Sequence, residues 1–210
     1  MSPLHFLLTH RSEIWHATVE HMTLVLIAMA SAIAIGVPLG MLAVVRPVLR
    51  ALALGLANIF QTIPSLALFG CLIPIPYLGG VGKRTAIVAL VLYALLPILR
   101  NTYVGLSGVD PAVLEAAEAM GMTSSQILLR VRTPLALAVI LAGIRTATVI
   151  TIGVATIAAA IGAGGLGEFI FRGVAMVSDS VILAGAIPAA ALALLSDALL
   201  ALLERRLRVR

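Results

Sequence analysis

Five apolar runs dominate the sequence, and a helix needs about 20 apolar residues to cross a bilayer. The runs are Met22–Val45, Leu49–Ile75, Thr85–Leu99, Leu135–Ile161 and Val181–Leu203. The third run is short, and its helix would approach bilayer length by continuing past Arg100 to Val104. The pattern predicts an all-α membrane protein with about five transmembrane helices.

The composition supports a single transmembrane domain over residues 1–210. The chain is 61% hydrophobic and only 11% charged, with a mean hydropathy of +1.15, whereas soluble domains carry about 25% charged residues. Too little polar sequence remains for a second, soluble domain. The first run is longer than the roughly 7–15 apolar residues of a secretory signal, so we expect it to be retained as a span.

Lysine and arginine are distributed unequally between the two sides of the predicted spans, which orients the chain by the positive-inside rule. The richer side has nine: Arg46, Arg50, Arg100, Arg130, Arg132, Arg205, Arg206, Arg208 and Arg210. The other side has four: Arg11, Lys83, Arg84 and Arg172. We therefore expect the N-terminus outside and the C-terminus in the cytoplasm. Because nearly all basic residues flank spans, the net charge of +5 indicates a lipid bilayer as partner and no nucleic acid.

The only sizeable polar segment between spans covers residues 100–133, on the predicted cytoplasmic side. Asp110-Pro111 predicts a helix start, because Asp accepts from free amides and Pro suits the first helical position. Gly121 predicts the end of that helix, and a capping-box pattern at residues 123–126 predicts a second start. Pro134 is expected to close the loop and begin the next span. The result is an elbow, interpreted either as a docking site or as an ordinary amphipathic connector.

An EAA-like pattern runs through this elbow, with Glu115-Ala116-Ala117, then Gly121, then Val131 to Pro134. It resembles the signature E-A-A-x3-G-x9-I-x-L-P of binding-protein-dependent ABC importer permeases, with Val for Ile and a polar Thr133 for Leu. The resemblance implies a type I ABC importer permease fold. It also implies that the elbow, about residues 105–134, is a coupling helix in a groove of an ATPase subunit. The implied coupling residues are Glu115, Ala116, Ala117, Gly121 and Pro134.

Four further stretches resemble the osmoprotectant branch of these permeases, which serves glycine betaine, carnitine and choline importers. They are residues 63–68 (IPSLAL), 93–102 (YALLPILRNT), 143–147 (GIRTA) and 161–167 (IGAGGLG). Since methionine and phosphonate permeases look similar over the last stretch, such amino-acid-like solutes stay open as alternatives. The resemblance implies ABC ATPase subunits, a second permease subunit (identical or paralogous), an extracytoplasmic solute-binding protein and a bacterial or archaeal inner membrane.

Polar residues in the second run mark a candidate solute pathway. Asn58, Gln61, Thr62 and Ser65 follow i, i+3, i+4 and i+7 spacing, which places them on one face of a helix. Pro64 is expected to loosen the helix beside them. The pattern predicts a pathway with a hinge, and the alternative is hydrogen bonding between helices.

Arg145 is an ionisable residue about 11 positions into the fourth run. Such residues are costly in a bilayer and usually face protein or water. We interpret Arg145 as a residue that lines or gates the pathway, or as half of an ion pair. Asp197 in the fifth run is the candidate partner.

Two features imitate other kinds of site, and the lone cysteine indicates none. Residues 162–167 match GxGxxG, but the preceding strand and the acidic residue about 20 positions on are missing, so we expect a tight non-helical loop near the outer end of the fourth span. The four histidines show no i, i+4 pair, so no metal and solvated or interfacial positions are expected. They are His5, His10, His16 and His21. Cys71, the only cysteine, is expected to be a small buried residue.

The sequence does not indicate catalysis or a cofactor. A phosphate-binding GxxxxGK[ST] pattern is missing, because Arg84 follows Gly82-Lys83, so a partner subunit has to hydrolyse ATP. A self-sufficient channel or secondary transporter would favour inverted repeats and mid-membrane carboxylates, of which only Asp197 fits. An enzyme within the membrane would need a His/Asp/Glu or Ser/His constellation, and the sequence shows none.

Overall fold

The computed structural model describes residues 3–207, with side chains from residue 6 onward, and all regular structure in that range is helical. Two of the basic residues counted above, Arg208 and Arg210, lie outside the described residues, and the side chain of His5 is not described. The helices are α1 Pro3–Thr9, α2 Arg11–Val45, α3 Pro47–Thr62, α4 Ser65–Leu72, α5 Lys83–Ser107, α6 Pro111–Ala119, α7 Ser124–Gln126, α8 Thr133–Ile157, α9 Gly167–Ala175 and α10 Asp179–Leu207. A π-helical segment, Ile127–Arg132, joins α7 to α8, and a 3₁₀ turn, Ala158–Ile161, follows α8.

Among the described residues, four helical stretches are long and apolar enough to cross a membrane, and the bent pair α3–α4 raises the number to five. This confirms the expectation of about five transmembrane helices. The second run is not one straight span, however, because α3 and α4 meet at 106°. Ile63 is extended (φ −72°, ψ 127°), since the ring of Pro64 disfavours a helical conformation for the preceding residue.

Two other boundaries differ from the expectation. Helix α5 continues beyond Val104 to Ser107, so the third span is not short. Pro134 does not begin a new helix, because Ser124–Ile161 forms one continuous stretch. Within it the N–H of Thr133 bonds to the carbonyl of Leu128 in a π turn. This wider turn accommodates Pro134, which lacks an N–H and whose ring would crowd the preceding turn of an α-helix.

Helices α2, α5 and α8 form the core, and small residues set their spacing. Helices α2 and α5 run in the same direction, and a Cβ at Gly40 would lie 2.6 Å from the Cβ of Thr102. Helix α8 runs back against α5, with Gly143 equally close to Asn101. Their buried side chains join one apolar cluster that includes Leu90 and Ile98. Because these three helices run along a common axis, the molecule has two ends. We call them the elbow end, which contains α6, and the loop end, which contains residues 161–167.

Candidate coupling elbow and polar sites

Helix α6 of the elbow is delimited by its own sequence. Asp110 caps its start, since its side chain accepts from the N–H of Ala112 at 2.9 Å. At its end Gly121 adopts φ +78°, and its N–H bonds to the carbonyl of Glu118 at 2.9 Å while that of Met122 reaches Ala117 at 3.2 Å. These two bonds define a Schellman motif, in which a left-handed residue satisfies the last carbonyls of a helix. The predicted start and stop are both confirmed.

The second half of the elbow begins at the predicted capping box. The N–H of Thr123 donates to Oε1 of Gln126 at 2.8 Å, and the N–H of Gln126 donates to Oγ1 of Thr123 at 3.4 Å. The polar residue at the Leu position of the signature is also accommodated, because the hydroxyl of Thr133 donates to the carbonyl of Leu128 at 2.7 Å. Thr133 therefore satisfies its polar group within its own helix.

The elbow exposes most of the side chains that the signature singles out. Glu115, Ala116, Gly121 and Pro134 are exposed, whereas Ala117 is only 2% exposed and packs inward. The interpretation of Ala117 as a contact residue does not fit its position, because a side chain buried within its own chain offers almost no surface to a partner.

An arginine that the sequence analysis did not single out ties the elbow to the membrane helices. Nη1 of Arg132 donates to the carbonyl of Leu106, near the end of α5, at 3.0 Å. A cleft of about 450 Å³ lies beside this contact. It is lined by Val104, Gly105, Gly108, Val109, Asp110, Val113, Leu135 and Val139. The sequence showed Arg132 only as one of the basic residues of the richer side and as a position that the signature leaves free, and neither predicts this contact.

The candidate pathway residues do not all share one helical face. Asn58, Gln61 and Thr62 lie on α3, but Ser65 begins α4 beyond the 106° bend. The hydroxyl of Thr62 donates to Ile59 at 2.8 Å. Asn58 is exposed and Gln61 half-buried, and neither side chain has a hydrogen-bond partner among the described residues.

The break between α3 and α4 is supported from α5. The hydroxyl of Tyr93 donates to the carbonyl of Ile63, a group that the interrupted helix leaves without its helical partner. Tyr93 belongs to the stretch 93–102 that resembles the osmoprotectant branch, but its contact spans 30 residues, so no local sequence pattern predicts it. It holds the bend against the core.

Arg145 forms the predicted ion pair with Asp197. Its Nε and Nη2 donate to the two carboxylate oxygens at 2.5 and 2.8 Å, a bidentate arrangement that favours arginine. Glu204, which was not singled out, lies 3.5 Å from Nη1. Because Glu204 is seven residues after Asp197, both carboxylates lie on the same face of α10. We call Arg145, Asp197 and Glu204 the ion triad.

The glycine-rich segment at the loop end is a buried, non-helical loop, as expected. Gly162, Gly164 and Gly165 all have φ between +74° and +84°, a region that side chains disfavour. The carboxylate of Glu20 accepts from the N–H of Gly165 at 2.8 Å and pairs with Nζ of Lys83 at 2.5 Å. Glu20 therefore ties the loop to α2 and to the start of α5.

Two single-residue expectations are wrong. His21 is not solvated: it is fully buried beside Gly165, its Nε2 lies 3.2 Å from the carbonyl of Ile152, and its Nδ1 has no partner. Cys71 is exposed and not buried, whereas Phe69 and Leu72 beside it on α4 are buried. Among the described residues, no three His, Cys, Asp or Glu side chains are grouped to hold a metal ion.

Comparison with known proteins gives close relatives over nearly the whole chain. The choline transport system permease protein OpuBB of Bacillus subtilis is 45% identical over 96% of this chain and 92% of its own length. The carnitine transport permease protein OpuCD of Listeria monocytogenes is 50% identical over 82% and 77%. The osmoprotectant import permease protein OsmW of Salmonella typhimurium is 44% identical over 95% and 94%.

Solved structures agree with the fold. A chain of the MetNI methionine ABC transporter, in an inward-facing conformation, matches with a TM-score of 0.82 and 26% identity over all of both chains. This confirms the type I ABC importer permease fold. The profile of one family matches residues 22–209. By that match and by its relatives, the chain belongs to the family of binding-protein-dependent transport system inner membrane components, the permease subunits of ABC importers.

Proposed function

We propose that this chain is the permease subunit of an ATP-driven importer for osmoprotectants such as glycine betaine, choline or carnitine. The assignment of the solute rests on the 44–50% identity to permeases named for those solutes. The methionine transporter chain shares the fold but only 26% of the sequence. This difference favours osmoprotectants over methionine or other amino-acid-like solutes.

In this proposal the elbow docks the ATPase subunits. Glu115, Ala116 and Gly121 offer an exposed surface, and Met120 beside them is 75% exposed. ATP binding and hydrolysis in the partner would move the elbow, and Arg132 with the continuous helix into α8 would carry that motion to the spans. The transport cycle is then an alternation between outward and inward openings.

The solute path is proposed to pass the bend between α3 and α4. Asn58 and Gln61 offer polar groups that other described residues do not engage, which favours a water-filled path over hydrogen bonding between helices within the chain. Selection of the solute is assigned to a separate binding protein. A quaternary ammonium group favours an aromatic cage, and this chain has only nine aromatic residues.

The proposed assembly has two permease subunits, two ATPase subunits and an extracytoplasmic binding protein at the inner membrane. The elbow end is assigned to the cytoplasm and the N-terminus to the outside, by the charge asymmetry of the loops.

A cysteine-accessibility assay in sealed cells checks this orientation. A cysteine at Ser125 in the elbow, with Cys71 replaced by Ala, is expected to be labelled only after the membrane is opened.

Uptake in proteoliposomes tests the function. The chain is reconstituted with an ATPase subunit and a solute-binding protein from the same organism, and uptake of choline, glycine betaine, carnitine and methionine is measured. We expect uptake of at least one osmoprotectant, dependent on internal ATP and on the binding protein. Uptake by the chain without its partners and without ATP would refute its role in an ATP-driven importer. Uptake of methionine but of none of the three osmoprotectants would refute the proposed solute.

Glu115 and Glu118 provide a matched test of the elbow. Both are exposed on α6, but only Glu115 belongs to the signature. We expect Glu115→Gln to lower ATP-driven uptake about tenfold, as the loss of roughly 1.4 kcal/mol at an interface would, while Glu118→Gln stays near wild type. Gly121→Pro, which cannot adopt φ +78°, is expected to uncouple hydrolysis from uptake with all spans inserted. Equal effects of the two Glu variants, or normal uptake by Gly121→Pro, would contradict docking through this surface.

A further inference from the structure

A cavity of about 470 Å³ lies at the loop end, between the N-terminal part of α2 and helix α9. This volume falls within the range of about 300–1,000 Å³ that is typical of small-molecule sites. Glu13 and Glu20 line it from α2, and Glu168, Phe169 and Arg172 line it from α9. Its walls therefore carry charged groups of both signs, at the end of the molecule that the proposed function assigns to the outside.

The charged groups of this cavity differ in whether the chain itself engages them. Glu20 is engaged, because it forms an ion pair with Lys83. Glu13, Glu168 and Arg172 are exposed, and none of the three forms an ion pair with another described residue. Two carboxylates and one guanidinium therefore share one cavity with a net charge of −1 (two negative groups and one positive). Their charges remain available to a ligand.

The position of Arg172 explains why it stays unpaired. It follows Glu168 by four residues on α9, a spacing at which Glu and Arg commonly attract each other on a helix. Instead, its guanidinium carbon lies 4.7 Å from the ring centroid of Phe169, a residue that is only 5% exposed. This cation–π contact holds the guanidinium against a buried ring. The cavity therefore keeps a positive group that the neighbouring carboxylate does not neutralise.

We propose that this cavity binds the solute when the binding protein releases it, and that it accepts small zwitterions and cations with an ammonium group. Arg172 binds the carboxylate of glycine betaine or carnitine, because the planar fork of a guanidinium matches a carboxylate. Glu13 and Glu168 attract the trimethylammonium group. Choline, which has no carboxylate, uses the two glutamates only, and the net charge repels an anionic solute. This role depends on the proposed function for its solutes and adds the residues that receive them.

Equilibrium binding of radiolabelled glycine betaine, carnitine and choline tests this site. The complex of the permease with its ATPase is purified without the binding protein, and the affinity for each solute is measured for the wild type, Arg172→Gln and Glu168→Gln. Arg84→Gln and Asp179→Asn are the matched controls, since both residues are exposed near the loop end and neither lines the cavity. ATP-driven uptake by the same variants is measured at limiting and at saturating concentrations of the binding protein.

We expect Arg172→Gln to weaken binding of glycine betaine and carnitine about tenfold, as the loss of one charge-assisted contact would, and to leave binding of choline near the wild-type value. The retained binding of choline also shows that the variant is folded. Glu168→Gln is expected to weaken binding of all three solutes, and the two controls are expected to weaken none. If Arg172→Gln does not assemble, Arg172→Lys keeps the charge without the fork and is expected to discriminate between the same solutes to a smaller extent.

An equal effect of Arg172→Gln on all three solutes would overturn this site, as would undetectable binding by a wild-type complex that still imports them. A variant that binds every solute normally but needs more binding protein for uptake would show that Arg172 docks the binding protein, which also overturns the site. Failure of the proposed function gives a different result, in which the wild-type complex binds the solutes but does not import them.

Discussion

The two ends of the molecule use the same chemical elements in opposite ways. Each has a glycine at φ near +80°, Gly121 at the elbow end and Gly164 at the loop end. Each also has a carboxylate that accepts from a backbone N–H. Asp110 reaches Ala112, two residues away, whereas Glu20 reaches Gly165, 145 residues away. The ends of the elbow's helices are thus set by local contacts, whereas the loop is held by distant ones.

Exposure follows the same division. Gly121 has open space around it, but a Cβ on Gly164 would overlap the carboxylate of Glu20. A segment that is proposed to meet a moving partner holds its own shape and keeps its surface free. The loop instead holds helices together, so its disruption is expected to lower the stability of the whole fold.

Substitution of each of these glycines by alanine should give the largest difference in stability between the two ends. We expect Gly164→Ala to destabilise by about 3 kcal/mol, because left-handed strain adds to displacement of Glu20 from Gly165 and Lys83. Gly121→Ala has the same strain without a clash and is expected to lose about 1–2 kcal/mol. The thermal midpoint of each purified variant in detergent measures the difference. Similar midpoints for the two variants would contradict the distinction between the ends.

Removing each carboxylate should give a smaller difference in stability, again with the larger loss at the loop end. Glu20→Ala leaves the buried N–H of Gly165 without an acceptor, at a cost of about 1–3 kcal/mol. Asp110→Ala leaves the N–H of Ala112 to be hydrogen-bonded by water, and the loss of stability is expected to be about 1 kcal/mol. We expect Glu20→Gln to retain most stability, since the amide oxygen still accepts and the pair with Lys83, 59% exposed, contributes little.

Thermal midpoints of these three variants and the wild type test the order. A Glu20→Gln variant as unstable as Glu20→Ala would show that the charge, and not the hydrogen bond to Gly165, holds the loop. In that case Lys83→Met should reproduce the loss.

The same division explains what the sequence could predict. The capping residues of the elbow act within five positions, so Asp110, Gly121 and Thr123 were sufficient to place α6 and α7. The Arg145–Asp197 pair was accessible because an intramembrane charge needs a partner and few carboxylates lie within the spans. Glu20, His21 and Tyr93 act over 30 to 145 residues, and local patterns contain no record of such contacts. The 106° bend was foreseen only as a loosening at Pro64, because the packing that fixes its angle is tertiary.

Thr133 permits the finest comparison, with Thr151 as its counterpart toward the loop end of α8. Both hydroxyls donate to a carbonyl of their own helix at 2.7 Å, but Thr133 is half-buried and Thr151 is fully buried. Thr133→Leu restores the signature residue, and its gain in apolar contact should offset the lost hydrogen bond to within about 0.5 kcal/mol. Thr151→Leu has no space for the larger side chain and should cost about 1–3 kcal/mol. Thermal midpoints and ATP-driven uptake of both variants decide this: a large loss for Thr133→Leu would mean that the elbow depends on its hydroxyl, and that its shape is less self-contained than its caps indicate.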